Sequence, residues 1–332
     1  MRRIGLMFVG MMFLISYPGQ TDAAPSPEEV LNAIVKIRTT ISKEAESAKI
    51  LGTEREGNGV VIDSAGTILT AGYLIRDARS IEVTTHKGES VSAKLVGYDF
   101  NTGFGLLRTE KNLGLPPITL GQSSTVKAGE AILVAAHGGE NAAQLALVVS
   151  RSEFAGYWEY LLDEAIYTVP AHGSYGGAAL IDAEGKLVGI GSLFTQVLIP
   201  EFGFVSCNVS IPIDLLRPIL ADLMKTGRSG KAQKPWLGIN AEESHGRVFI
   251  TRTTPGGPAE KAGLKRGDIV LTVAGREVSG LSDFYRKVWS VGAAGVQVPL
   301  GILQNVKVLE IKVRSLDRSQ SLNAAPKGDL TL

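Results

Sequence analysis

The chain repeats one pattern that few folds can accommodate: a short apolar run, a tight turn closed by glycine, then a second apolar run. It stands in GNGVVIDSAGTILTAGYLI, where Val60, Val61 and Ile62 precede a DSAG turn and residues 67–70 follow it. It returns in SIEVTTHKGESVSAKLVGYD around HKGE, and in AALIDAEGKLVGIGSL around DAEG. FGLLRTE and AGEAILVAA add single runs of the same kind. Strands this short hold only when neighbours pair with them and bury a face, so their close spacing predicts an all-β barrel or sandwich. The chain has 39 glycines and only 6% aromatic residues, a composition suited to repeated tight turns.

The two flanks differ. SPEEVLNAIVKIRTTI begins as a helix and ends β-branched. Over PIDLLRPILADLMKTGR, Leu215, Leu216, Ile219, Leu220 and Leu223 fall at helical spacing. A polar linker, SGKAQKP, then sets a boundary near residues 228–235. Beyond it, WLGIN, RVFITRT, DIVLTVAG, VQVPLGIL and KVLEIKV read as strands, and PAEKAG and SDFYRKVWS as helical stretches. With 332 residues, 44% of them hydrophobic, the chain can build two cores. At the N-terminus Arg2 and Arg3 precede an apolar run from Ile4 to Ile15, and small residues follow in TDAA. That is the layout of a signal peptide over residues 1–23, with cleavage near Ala24 and export to the periplasm or cell envelope. The formal charge of +1 offers no basic field for a nucleic-acid partner. Cys207 is the single cysteine, so no internal disulfide is expected, and its alternating surroundings, FVSCNVSIP, suit a buried thiol.

Several segments, taken in order, resemble the HtrA (Deg) family of trypsin-like, PDZ-containing serine proteases. They are GNGVVID with ILTAGYLI, VGYDFNTGFGLLRTE, LGQSSTVKAGEAILVAA, HGSYGGAALIDAEGKLVGI and SIPIDLLRPILADLMKTGR, followed by PWLGI, PGGPAEKAGLKRGDIVLTVAGREV and LSDFYRKV. The resemblance implies a mostly β chain: a chymotrypsin-like double β-barrel over residues 24–228, a linker at 229–234, a PDZ domain at 235–316, and a flexible tail at 317–332. Family membership also implies possible homo-oligomers, trimers in particular.

The same resemblance implies three catalytic positions, and the sequence departs from the pattern at each. The histidine position reads Tyr73 within TAGY, the aspartate position reads Gly103 within TGFGLL, and the paired glycines of GSYGGAAL put Tyr175 at the nucleophile. Shifting the register by one residue offers Gly176 instead; Ser174 serves only if Tyr175 is an insertion. A phenol titrates near pH ~10 and cannot serve as the base that a serine nucleophile needs. The expectation is therefore a pseudoprotease, with Tyr73 and Tyr175 packed on each other in the cleft. The alternative is an active serine endopeptidase of periplasmic quality control, using Ser174 with a displaced imidazole from His137 or His172. His86 in the HKGE turn and His245 in the last unit read as surface residues. A metal between His137 and His172, with Glu201 or Asp163, lacks ligand spacing, so no metal or cofactor is expected.

PWLGI resembles the carboxylate-binding loop of a PDZ domain. That implies that the backbone N–H groups of Leu237, Gly238 and Ile239 receive the terminal carboxylate of a partner's C-terminal tail or unfolded peptide. Leu237, Ile239, Phe284 and Val288 are the expected pocket lining, with Trp236 a packing residue. The chain's own end, GDLTL, carries Leu330 and Leu332 and could offer itself to such a site.

Overall fold

The computed structural model describes residues 26–319. The expected signal peptide and the leucines at 330 and 332 therefore lie outside the described residues. A short helix, α1 (Pro27–Asn32), opens the described chain; Ser26 caps it and Glu29 bonds back to the Ser26 N–H. Two closed six-stranded antiparallel barrels follow. The first contains β1 (Ile34–Ile41), β2 (Glu54–Val61), β3 (Thr67–Ala71), β4 (Ala78–Thr84), β5 (Ser90–Tyr98) and β6 (Phe104–Thr109), paired in the order β1-β2-β3-β6-β5-β4. A one-turn helix, α2 (Ala48–Leu51), lies between β1 and β2. The second contains β7 (Ala131–Ala135), β8 (Ala143–Gly156), β9 (Tyr160–Val169), β10 (Ala179–Ile181), β11 (Leu187–Ile199) and β12 (Gly203–Pro212), and its strands follow the same winding.

Turn chemistry explains two of the hairpins. In DSAG the Asp63 carboxylate accepts the Thr67 N–H at 2.9 Å, and Gly66 takes φ +78. In DAEG the Asp182 carboxylate accepts the N–H groups of Glu184 and Lys186 at 3.1 and 2.8 Å, and Gly185 takes φ +75. Aspartate closes the turn, and glycine supplies the left-handed residue without a Cβ penalty. Side chains from both barrels meet in one apolar cluster that includes Ile34, Leu69, Phe104, Leu106, Val209 and Ile211. Cys207 is buried in β12, and burial pushes its thiol upward.

The helix after the barrels is shorter than its apolar spacing predicts. Leu215 lies in a 3-10 turn at Ile213–Leu215, and α3 runs over Arg217–Thr226. Pro218 is the reason: proline fits the first turn of a helix but not its interior. Gly227 ends α3 with φ +76.

The last unit is a sheet in the order β13 (Ile239–Ser244), β14 (Arg247–Thr253), β15 (Ile269–Val273), β17 (Gln297–Gln304), β18 (Lys307–Arg314), with β16 (Arg276–Glu277) pairing to β15. It also contains α4 (Pro258–Lys261) and α5 (Leu281–Trp289). β13 is an edge strand, and Leu281, Phe284, Tyr285 and Val288 of α5 point into this unit's core.

The units touch through the long β8–β9 hairpin, which the sequence pattern did not predict. Leu161 and Ala155 pack with the core of the last unit, and Arg286 on α5 pairs with Glu153 and Asp163 on the two strands. Residues 317–319, expected at the head of a flexible tail, are instead held at this seam. Leu316 and Trp236 exchange backbone bonds at 3.0 Å, Arg318 donates to the Trp158 carbonyl at 3.0 Å, and its guanidinium lies 5.0 Å from the Phe100 ring centroid. Burial explains the difference, because the Arg318 guanidinium lies against the Phe100 and Trp236 rings while its Nη1 donates to a carbonyl.

Candidate functional site

The barrels bring together the three positions that the sequence singled out. Tyr73 sits in a 3-10 turn (Gly72–Leu74) directly after β3. Arg55 from β2 fixes that turn, donating to the carbonyls of Tyr73 at 2.6 Å and Arg76 at 2.9 Å. Burial lowers the Arg55 guanidinium to about 10, with Asp77 opposing the drop. Gly103 adjoins the same turn, since its carbonyl accepts the Gly72 N–H at 2.7 Å. The Tyr175–Gly177 turn faces it from the second barrel: a Cβ built on Gly176 would stand 2.6 Å from the Tyr73 hydroxyl.

What these groups can do follows from their surroundings. Burial pushes the Tyr73 phenol well above its usual range, and the nearby Tyr175 adds to the shift. At neutral pH it is a neutral donor. Gly103 adopts φ +81, and a Cβ there would lie 2.8 Å from the Tyr160 hydroxyl. That hydroxyl donates to the Thr102 carbonyl at 2.6 Å, so Tyr160 fills the space a side chain at 103 would need. Asp99 is not available to replace it; its carboxylate accepts from the Thr102 N–H and hydroxyl, both at 2.8 Å, and shapes the loop. The ring pairing expected between Tyr73 and Tyr175 is not the one made. Tyr175 turns toward Phe194 on β11, with centroids 6.2 Å apart, because Phe194 offers an exposed apolar face beside it.

The histidines serve other partners. His137 donates through Nε2 to the Thr85 carbonyl at 3.0 Å, and its backbone N–H goes to Asn58. His172 accepts the backbone N–H of Ser174 at Nδ1, at 3.1 Å. This is a contact with the main chain of Ser174, which is itself exposed. His86 is half-buried in its turn, and His245 is exposed with φ +51. Asp163 is engaged by Arg286, and among the described residues no group of three or more His, Cys, Asp or Glu gathers at one place.

The second site lies in the last unit. The N–H groups of Leu237, Gly238 and Ile239 converge on one point, with Gly238 at φ +75. They converge on a carboxylate of the chain itself, that of Glu159 at the tip of the β8–β9 hairpin. Leu237, Ile239, Phe284 and Val288 are all buried in the core of this unit.

Comparison with known proteins agrees with this architecture. Residues 57–190 match the trypsin-like peptidase domain family and residues 235–314 the PDZ domain family. The chain is 29% identical to the periplasmic pH-dependent serine endoprotease DegQ of Escherichia coli, over 93% of this chain and 75% of that protein. It belongs to the HtrA (Deg) family. It is also 25% identical to the periplasmic serine endoprotease DegP of Salmonella typhimurium, and 30% identical to a probable DegP-like endoprotease of Pseudomonas putida. These matches cover 80% and 76% of this chain, but only 58% and 53% of those relatives, so it spans little more than half their length. Among solved structures, the HtrA-type protease AlgW with a decapeptide shares the fold, with a TM-score of 0.52 at 21% identity, covering 89% of this chain and 99% of that one. A serine endoprotease from Yersinia pestis gives 0.51 at 22%, covering 88% and 98%.

Within this HtrA chain, three residues that sequence reasoning missed organise both sites. Asn58 of β2 donates to the carbonyls of Ser174 at 2.8 Å and Gly176 at 3.0 Å, and accepts the His137 N–H at 2.9 Å. Tyr160 fills the space beside Gly103, and Glu159 occupies the PDZ loop. The one signal available beforehand was Asn58 itself, an amide between two glycines at the head of an apolar run.

Proposed function

We propose that this HtrA-family chain is an exported protein whose trypsin-like cleft no longer performs proteolysis and whose PDZ domain binds peptide tails in the cell envelope. The observation that carries the reading is the placement of Tyr73 against the Tyr175–Gly177 turn, with a phenol that burial keeps protonated. A serine-type nucleophile needs a neighbouring base and an orienting acid. A neutral phenol at position 73 and a side-chain-free Gly103 backed by Tyr160 supply neither. Ser174, the fallback nucleophile, has its nearest imidazole contact at its backbone N–H rather than at its hydroxyl. The relatives' names, periplasmic endoproteases, support the location and the ancestry of the fold. The PDZ match, and the convergence of three backbone donors at residues 237–239, support a carboxylate ligand.

The test is labelling of the purified protein with a fluorophosphonate probe, alongside digestion of an unfolded protein. We expect neither labelling nor cleavage. Labelling that vanishes in Ser174→Ala would establish the competing reading, an active endopeptidase with a rearranged dyad. Cell fractionation checks the location, with the protein expected among periplasmic or envelope proteins.

A further inference from the structure

A peptide ligand of a PDZ domain offers its terminal carboxylate to the loop N–H groups and lays its backbone along the sheet edge. In this molecule one turn of the second barrel takes both places. Glu159 Oε2 accepts the Leu237 N–H at 2.9 Å, and Oε1 accepts those of Gly238 at 2.7 Å and Ile239 at 2.8 Å. Two residues earlier, the Tyr157 carbonyl accepts the Ala241 N–H at 2.8 Å on the edge strand β13. A bound strand would make the same kind of bond.

The remainder of the turn is fastened as fully. The Tyr285 hydroxyl on α5 donates to the Gly156 carbonyl at 2.8 Å and accepts the Glu159 N–H at 3.2 Å. Arg318 holds the Trp158 carbonyl. Glu159 is 7% exposed and adopts φ +57. Turns that need a left-handed residue ordinarily recruit glycine or asparagine. A glutamate in that conformation points to a task for its side chain, and the three donors are that task. The chain runs on into β9, so no main-chain terminus is available at this point, and a side-chain carboxylate takes its part. The Arg318 guanidinium is close enough to favour the charged acid, but the carboxylate oxygens themselves are presented to the backbone donors of a ligand loop.

We propose that Glu159 is a built-in ligand of the PDZ site: it keeps the carboxylate-binding loop closed in the resting protein, and a partner with a free C-terminal carboxylate and an apolar last side chain must displace the Tyr157–Tyr160 turn to bind. This rests on the peptide-binding reading given above.

The test uses the full-length protein as wild type, Glu159→Ala and Glu159→Gln. Glutamine keeps the length of the side chain but offers one acceptor oxygen and sets an NH2 against N–H donors, which separates loss of the carboxylate from creation of a cavity. Hydrogen exchange is read at the amides of residues 237–239. Binding is read with a random decapeptide pool bearing free C-termini, and with the same pool amidated. Removing a closed resting state raises apparent affinity by the reciprocal of the open fraction, so both variants should capture the free-carboxylate pool about tenfold or more tightly than wild type. Their loop amides should exchange faster by a similar factor, and the amidated pool should not bind. Wild type binding as tightly as the variants would overturn the proposal, and so would loop amides that stay protected without Glu159. Rapid exchange with no peptide captured by any form would defeat the peptide-binding reading and the competition together, leaving the Glu159 contact as a mere tie.

Discussion

Replacing Asn58 by alanine should unfasten the cleft between the barrels. The side chain is buried, and it satisfies three backbone groups that lie far from it in sequence: the carbonyls of Ser174 and Gly176 and the N–H of His137. Ser174 is exposed, so water can reach its carbonyl after the substitution. The half-buried His137 N–H and the buried Gly176 carbonyl lose their side-chain partner, though the Gly176 carbonyl keeps the Asn58 N–H at 2.8 Å. An orphaned buried polar group costs about 1–3 kcal/mol, and the truncation leaves a small void besides, so we expect a loss of about 3 kcal/mol. Asn58→Asp should be as damaging, because one carboxylate oxygen can still accept from His137 while the other faces two carbonyls. Urea unfolding followed by far-UV circular dichroism measures the change in the barrel transition. A loss below about 1 kcal/mol for both variants would show that the 137 and 174–176 loops hold their places without this amide, and would refute the reasoning.

Other consequences are equally concrete. Gly177 has φ +74, and a Cβ there would lie 1.9 Å from the Asn58 carbonyl oxygen, whereas Gly173 has nothing within 4 Å. Gly177→Ala should therefore abolish soluble protein or cost more than about 4 kcal/mol, while Gly173→Ala should stay within about 0.5 kcal/mol, as soluble yield and unfolding midpoints will show. Restoring the three family residues together, as Tyr73→His, Gly103→Asp and Tyr175→Ser, should still give no fluorophosphonate labelling. The Gly103→Asp side chain would meet the Tyr160 hydroxyl, and robust labelling would contradict that. Burial raises the phenols of Tyr73, Tyr98, Tyr160 and Tyr285 above the usual 10.0. A raised pKa means that the folded state holds its proton more firmly, so this stability is complete below pH 10 and is lost as pH climbs past it. Melting temperature should fall steeply above that pH, and a flat profile to the onset of chemical damage would contradict the burial assignments.

Much of the barrel was readable from local chemistry. DSAG and DAEG announce their hairpins because an aspartate and a glycine, three residues apart, do the same work in both. The β8–β9 hairpin carries no such announcement, since its left-handed residue is Glu159 rather than glycine. The helix end was misjudged because apolar spacing continued through Leu215, while Pro218 decided where α3 could start. In the PDZ domain the donors of Leu237, Gly238 and Ile239 were legible as a loop, but not their occupant. Glu159 lies about 80 residues upstream, and no local pattern relates a charged turn residue to backbone groups so distant. Asn58 was hidden for the same reason, as its partners lie 79 to 118 positions away.

The chain's three tryptophans all stand at the seam where the hairpin meets the PDZ domain. Trp158 stacks on Tyr160 with centroids 5.6 Å apart, Trp289 stacks on Tyr285 at 5.7 Å beneath the Lys234 ammonium, and Trp236 pairs with Leu316 beside Arg318. The molecule thus carries its own optical gauge. Indole emission comes from this one junction and from nowhere else in the protein, so a change in its colour or intensity registers movement of that joint without any attached dye.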